Sequence, residues 1–160
     1  MNRIDKILNH DLFLYHLGRN NAAEADRRFC RHGMVHFLDV ARIGTIIALE
    51  EGLKIDREWI YAAALLHDCG KHEQYENGTP HEQASARIAP EILKACGFND
   101  EETGVIVTAI SRHRDPEAAK EKNLNGILYR ADKASRACFA CGAEKDCNWK
   151  DGKKNLTIKY

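Results

Sequence analysis

Six side chains able to bind metal ions stand where apolar helical stretches end or are interrupted: His36, His67, Asp68, His81, His113 and Asp132. Imidazole nitrogen combined with carboxylate oxygen suits divalent Mn, Fe, Co, Ni or Zn better than Ca or Mg. The tightest placement is Ala62-Ala-Ala-Leu-Leu-His67-Asp68-Cys-Gly-Lys71, where a nearly apolar run delivers two ligands side by side. Burying an ionised aspartate beside an imidazole is costly unless a cation or partner compensates it. Taken alone, the dipeptide reads first as a capped helix end, with Gly70 as terminator and Lys71 on the negative end of the dipole. The other four residues turn that reading toward a metal site, because one helical bundle can bring such positions to a single point.

The elements that must position these residues are helical. Residues 2–17 carry apolar side chains at helical spacing and predict a first helix broken at Gly18; residues 22–31 predict a short charged one. From Val35 to Glu50 the apolar positions 37, 38, 40, 41, 43, 46, 47 and 49 predict a long buried helix with His36 at its start and Gly52 as its terminator. Asp56 caps the helix that leads to His67. Residues 72–80 predict a polar loop beside the His-Asp pair, placed to grip a substrate. A helix with His81 in its first turn follows, kinked or divided at Pro90. Asn99-Asp100 starts the helix that ends near His113, residues 117–123 a short exposed one, and Gly126 to Arg136 the last, with Asp132 interrupting its surface. The tail from Lys150 is basic, and Leu156 to Tyr160 reads as a lone strand or an extended arm. His32, four residues before His36, shares its face if that helix extends back.

Composition limits the function classes. The 160 residues suit one domain with a sizeable core, and 24 basic against 24 acidic residues give no net charge. That balance disfavours a general nucleic-acid or membrane-surface binder. No apolar run approaches the ~20 residues of a membrane span, and the N-terminus lacks a signal-peptide core, so a cytoplasmic protein is expected. The six cysteines then read as thiols or metal ligands before disulfides.

Three motifs together resemble the HD-domain superfamily of metal-dependent phosphohydrolases: His36-Phe-Leu-Asp-Val-Ala-Arg, Ala64-Leu-Leu-His67-Asp68-Cys-Gly-Lys71 and Tyr129-Arg-Ala-Asp132-Lys. The resemblance spans residues 28–137 or so. It implies an all-α, single compact HD-domain-like bundle of six to eight helices over residues 1–137, followed by a cysteine-containing extension, 138–160, packed on it. His81-Glu-Gln-Ala-Ser-Ala-Arg-Ile-Ala and Ala109-Ile-Ser-Arg-His113 resemble the additional histidines of binuclear members. By that resemblance His36, His67, Asp68 and Asp132 hold one metal, and His81, His113 and a bridging Asp68 hold a second. Two cations ~3.5–4 Å apart can hold a hydroxide nucleophile between them and neutralise charge on a phosphoryl oxygen. Asp68 and Lys71 are the catalytic candidates; Lys71, Arg112, Arg114 and His32 are the candidates for contact with substrate.

The implied activity is hydrolysis of a phosphate ester or anhydride in a nucleotide or another small phosphorylated molecule, with one or two divalent transition metals as cofactor. Two alternatives stand beside it: a catalytically silent regulatory module that binds metal and nucleotide, and a di-iron redox enzyme on the same fold. No membrane or nucleic-acid partner is expected, and a homo-oligomer is left open.

A second cluster remains. Cys138-x2-Cys141-x5-Cys147 has the close spacing of metal-ligating thiols. Cys30 precedes His36 by six residues and Cys138 follows Asp132 by six. If His36 and Asp132 share a metal and their segments run antiparallel, Cys30 and Cys138 meet as well. The expectation is a structural zinc, or less favourably an iron–sulfur cluster, on Cys30, Cys138, Cys141 and Cys147. Cys69 and Cys96 are assigned to packing.

Overall fold

In the computed structural model, which describes residues 1–159, eight α-helices are present and no strand occurs among the described residues. They are α1 (Arg3–Leu8), α2 (Asp11–Ala23), α3 (Met34–Glu50), α4 (Arg57–Leu66), α5 (Lys71–Asn77), α6 (His81–Ala95), α7 (Asp100–Arg112) and α8 (Leu124–Ala134). Short 3-10 helices lie at Pro116–Lys120, Cys138–Ala140, Glu144–Asp146 and Asp151–Lys153.

α4 forms the centre. Ala62 to Leu66 are buried on every side, which is how a helix apolar all round is accommodated in a soluble bundle. α3, α7 and α8 pack around it, and α6 packs between α5 and α7. Phe13, Phe37, Leu65, Ile92, Ile110 and Ile127 are fully buried and each contributes about 1.5–3 kcal/mol through removal from water. Side-chain caps start the helices: the Asp56 carboxylate accepts from the Glu58 amide at 2.8 Å, and Asn99 with Glu102 forms a capping box on α7. Gly52, at φ 63°, ends α3 as expected from the sequence.

Five local expectations are corrected. The first helix is two, because His10 caps α2 through its ring nitrogen while Gly18 passes through the helix interior. Residues 24–33 are turns rather than helix, since Glu24 and Arg27 bond to loop backbone at His32 and Cys30. α3 is amphipathic rather than buried throughout: its turn leaves Leu49 75% exposed. Residues 71–77 are helical where a loop was expected, leaving only Gly78 to Pro80 as connection. α6 runs unbroken through Pro90. Over residues 156–159 no strand forms, which leaves the extended reading of the tail, and Tyr160 lies outside the described residues. No described helix is long and apolar enough to cross a membrane.

Candidate metal centre

His67 and Asp68 follow the last residue of α4, so they emerge directly from the buried centre of the bundle. Their turn is held by two other elements. Asn20 of α2, fully buried, donates to the Asp68 carbonyl at 2.8 Å and accepts from the His72 amide at 2.8 Å. Ser85 of α6 accepts from the Gly70 amide at 2.9 Å. Gly70 is required by close approach: a Cβ there would stand 2.7 Å from Ala84 Cβ and 2.8 Å from the Ser85 nitrogen.

Around this turn the six candidate residues gather in two groups that share Asp68. His36, His67, Asp68 and Asp132 form one; Asp68, His81 and His113 form the other, with the ligand atoms of each group within 4.8 Å of one another. All six are buried. They arrive from the start of α3, the ends of α4 and α7, the start of α6 and the last turn of α8. Asp68 divides its two oxygens between the groups. Oδ2 lies 3.1 Å from His67 Nε2 and 3.4 Å from His36 Nε2, whereas Oδ1 lies 3.2 Å from His81 Nε2 and 3.5 Å from His113 Nε2. Asp132 Oδ1 stands 3.3 Å from His36 Nε2 and 3.7 Å from His67 Nε2.

The hydrogen-bond partners assign the imidazole tautomers. A carbonyl can only accept, so His67 Nδ1–H donates to the Ala64 carbonyl at 2.8 Å and His113 Nδ1–H to the Ile110 carbonyl at 2.7 Å. His81 Nδ1 is turned away from the pocket, with the Gln74 amide oxygen at 2.6 Å and Lys71 Nζ at 3.2 Å. Each Nε2 then faces the pocket: His81 and His113 Nε2 lie 3.1 Å apart, and His67 Nε2 faces carboxylate oxygens. Imidazole nitrogens and carboxylate oxygens gathered this closely, out of water, are the donor set that a divalent transition metal takes. His67 Nε2 and Asp68 Oδ1 are also buried atoms without a hydrogen-bond partner, a situation that folded proteins rarely leave uncompensated. Nδ1 held by a backbone carbonyl with Nε2 turned inward is the usual arrangement of a metal-ligating histidine. The residues present therefore fit one cation in each group.

The electrostatics agree with that geometry. Burial pushes the Asp68 and Asp132 carboxyls up, but the facing imidazoles outweigh it and hold both well below the usual carboxylate range. Burial opposes charge on His67, yet Asp68 and Asp132 push it up to about 10, so the pocket demands positive charge there. Burial holds His81 down at about 3 against the pull of Asp68, so its ring stays neutral.

Lys71 is buried at the pocket edge with Nζ 3.2 Å from His81 Nδ1, and burial lowers its pKa. His32 is buried beside His36, their rings 5.8 Å apart. Its Nδ1 is bonded to Glu24, which leaves Nε2 as the free nitrogen. Arg114 is half-exposed, 3.6 Å from Glu82. Arg112 is placed differently: its guanidinium is taken up by Asp115 at 2.8 Å and Glu121 at 2.6 Å, and so is not available as a clamp. His72 turns to His16, 2.8 Å away, instead of the pocket.

Several residues that shape the pocket were not expected from the sequence. Glu24 is buried and accepts from the His32 amide and from Tyr75 Oη, both at 2.6 Å; against burial, the His32 ring first, then Tyr75 and the His32 amide, hold its carboxyl down at about 2. Arg136 Nη2 lies 3.2 Å from His36 Nε2, and Lys133 Nζ lies 2.6 Å from Asp132 Oδ2. Of these, only the basic residues next to Asp132 carried a local signal.

The four cysteines of the second cluster are half-buried free thiols. The groups gathered at ligand spacing among the described residues are the two imidazole–carboxylate groups, so the sulfurs are not preformed into a ligand set. Cys69 and Cys96 lie in the core, as expected.

A family model described as HD domain matches residues 33–137. A protein of Clostridium beijerinckii, described as an uncharacterized protein, is 49% identical over 160 residues, covering 100% of both chains. No solved structure matches the chain.

Proposed function

Since the chain belongs to the HD-domain family, we propose that it is a metal-dependent phosphohydrolase acting on the phosphate ester or anhydride of a small molecule, with a nucleotide as the leading class. One observation carries the reading: Asp68 directs one oxygen to each of two buried ligand groups, and the imidazole Nε2 atoms of both groups face it. His36, His67, Asp68 and Asp132 would hold one divalent transition metal, and Asp68, His81 and His113 a second. When bound, such cations supply Lewis acidity toward a phosphoryl oxygen and lower the pKa of water.

The chain's own residues do the remaining work. Six ligands bring only two carboxylates, so two divalent cations leave the pocket net positive and attractive to a phosphate. Lys71, at the edge of the second group, is placed to hold a phosphate oxygen as a charged donor. Arg114 adds positive charge at the rim, and His32, oriented by Glu24, offers Nε2 to the substrate. Arg112 is left out of this assignment because its charge is already paired.

The test is loading with Mn, Co or Ni, elemental analysis, and assay against mono-, di- and cyclic nucleotides and simple aryl phosphates. The reading expects up to two equivalents of metal and metal-dependent phosphate release. In Asp68→Ala both are expected to be lost, with kcat/KM down at least ~100-fold. A fully loaded protein that turns over none of these compounds would overturn the enzymatic reading.

A further inference from the structure

The polypeptide after α8 has little to hold it. Residues 138–159 form only three-residue 3-10 turns, and the buried residues among them are Ala143 and Asn155. Phe139, Leu156 and Ile158 are half-exposed or more. So small an apolar core does not offset the conformational entropy of ordering about twenty residues, and segments of this kind are ordinarily held by disulfides or a structural metal.

Yet this segment is specifically folded. Asn155 donates to the carbonyls of Lys133 and Arg136 at 2.7 and 2.9 Å, closing the segment back on the end of α8. Lys154 Nζ is bonded to Glu144 at 2.9 Å, which folds the segment on itself. One contact joins it to the loop between α2 and α3: Arg28 pairs with Asp146 at 2.6 Å. Beside it, Arg136, just past the end of α8 and two residues before Cys138, donates to the Arg31 carbonyl at 3.2 Å. Cys30 lies between Arg28 and Arg31, and Cys147 follows Asp146, so these contacts bring the stretches that carry the thiols together.

We propose that Cys30, Cys138, Cys141 and Cys147 bind a structural zinc ion that cross-links the α2–α3 loop to the C-terminal segment. The four are half-buried and unpaired, and they are supplied at C-x2-C-x5-C spacing plus one distant residue, a pattern suited to tetrahedral zinc. Although burial raises the Cys30 pKa, the thiol also feels the charges of Cys138, Cys141 and Cys147, and so lies in their company. Arg136 opposes that rise and favours the thiolate that a metal needs. The sulfurs are not gathered at ligand spacing, so the proposal requires the four side chains to close on the ion as it binds. This site does not depend on the phosphohydrolase reading.

The experiment uses the full chain, purified under reducing conditions from zinc-supplemented cells. The proposal expects one thiolate-bound zinc per chain in addition to any metal in the histidine pocket. Cys30→Ser and Cys141→Ser should each lose about one equivalent, and cobalt replacement should give a thiolate-to-cobalt charge-transfer band absent from both variants. In the unsubstituted protein the four thiols should resist alkylation until a chelator is added, whereas Cys69 and Cys96 react only on unfolding. This last measurement stands even where the variants fail to fold. Equal zinc in variants and wild type, free alkylation of the four thiols in the native chain, or iron with inorganic sulfide in place of zinc would each overturn the proposal.

Discussion

Asp68 is the residue on which both halves of the pocket depend. A histidine in its place could face one group only, whereas a carboxylate has two oxygens and addresses both. Lys71 plays a different part. It touches His81 Nδ1, the nitrogen turned away from the pocket centre, so it borders the ligands without belonging to them. Lys71→Ala is therefore expected to retain its metal by elemental analysis while kcat/KM falls about 10- to 100-fold, matching the ~1.5–3 kcal/mol of a hydrogen bond to a charged group. A variant that loses metal instead would make Lys71 a support for His81. At this scale the sequence was informative where a residue type is rare in its setting, as with His67-Asp68 at the end of an apolar run. It was silent on Asn20 and Glu24, since polar residues on surface-like helices and turns have no local signature of being buried by distant elements.

At the scale of the element, the turn from His67 to Gly70 decides the site, because it changes the chain direction between α4 and α5 while α6 presses against it. Gly70→Ala places a methyl group against Ala84 and the Ser85 amide nitrogen. The expected cost is about 1–3 kcal/mol of overpacking, or roughly 2–12 °C in Tm by calorimetry. The shift should bring weaker metal retention, since His67 and Asp68 ride on the same turn; an unchanged Tm would show that α6 gives way freely. α5 illustrates why this part of the chain read as a loop. Lys71 to Asn77 has no apolar face and is too short to be stable alone. It is helical because Lys71 and His72 are buried by their surroundings and Gly78, at φ 79°, closes its end.

For the molecule as a whole, the N-terminal helix is bound to the bundle by charge as well as packing. Arg3 of α1 reaches Glu58 of α4 at 2.6 Å and Glu102 of α7 at 2.8 Å, with the Phe98 ring under its guanidinium. Arg3 and the Asn99 amide hold the Glu102 carboxyl down at about 2, against an ordinary 4.5. A depressed carboxyl stabilises the fold fully above its unfolded value, and that contribution is lost as pH falls through its folded value. The Tm advantage of the wild type over Glu102→Gln should thus be constant above pH 4.5 or so and shrink as pH falls toward 2. A difference that does not change over this range would remove the ionised carboxylate from the account.

The sequence by itself determined the helical class, most helix starts and the identity of the six pocket residues, because caps and apolar periodicity are local properties and the HD motifs keep their order along the chain. Which nitrogens point inward and which arginine is spent on neighbouring carboxylates were decided only by the tertiary structure. Each of these depends on distances between residues far apart in the chain. A lone pair becomes a ligand, and a thiol a partner, only when packing places another group against it and excludes the water that would otherwise satisfy it.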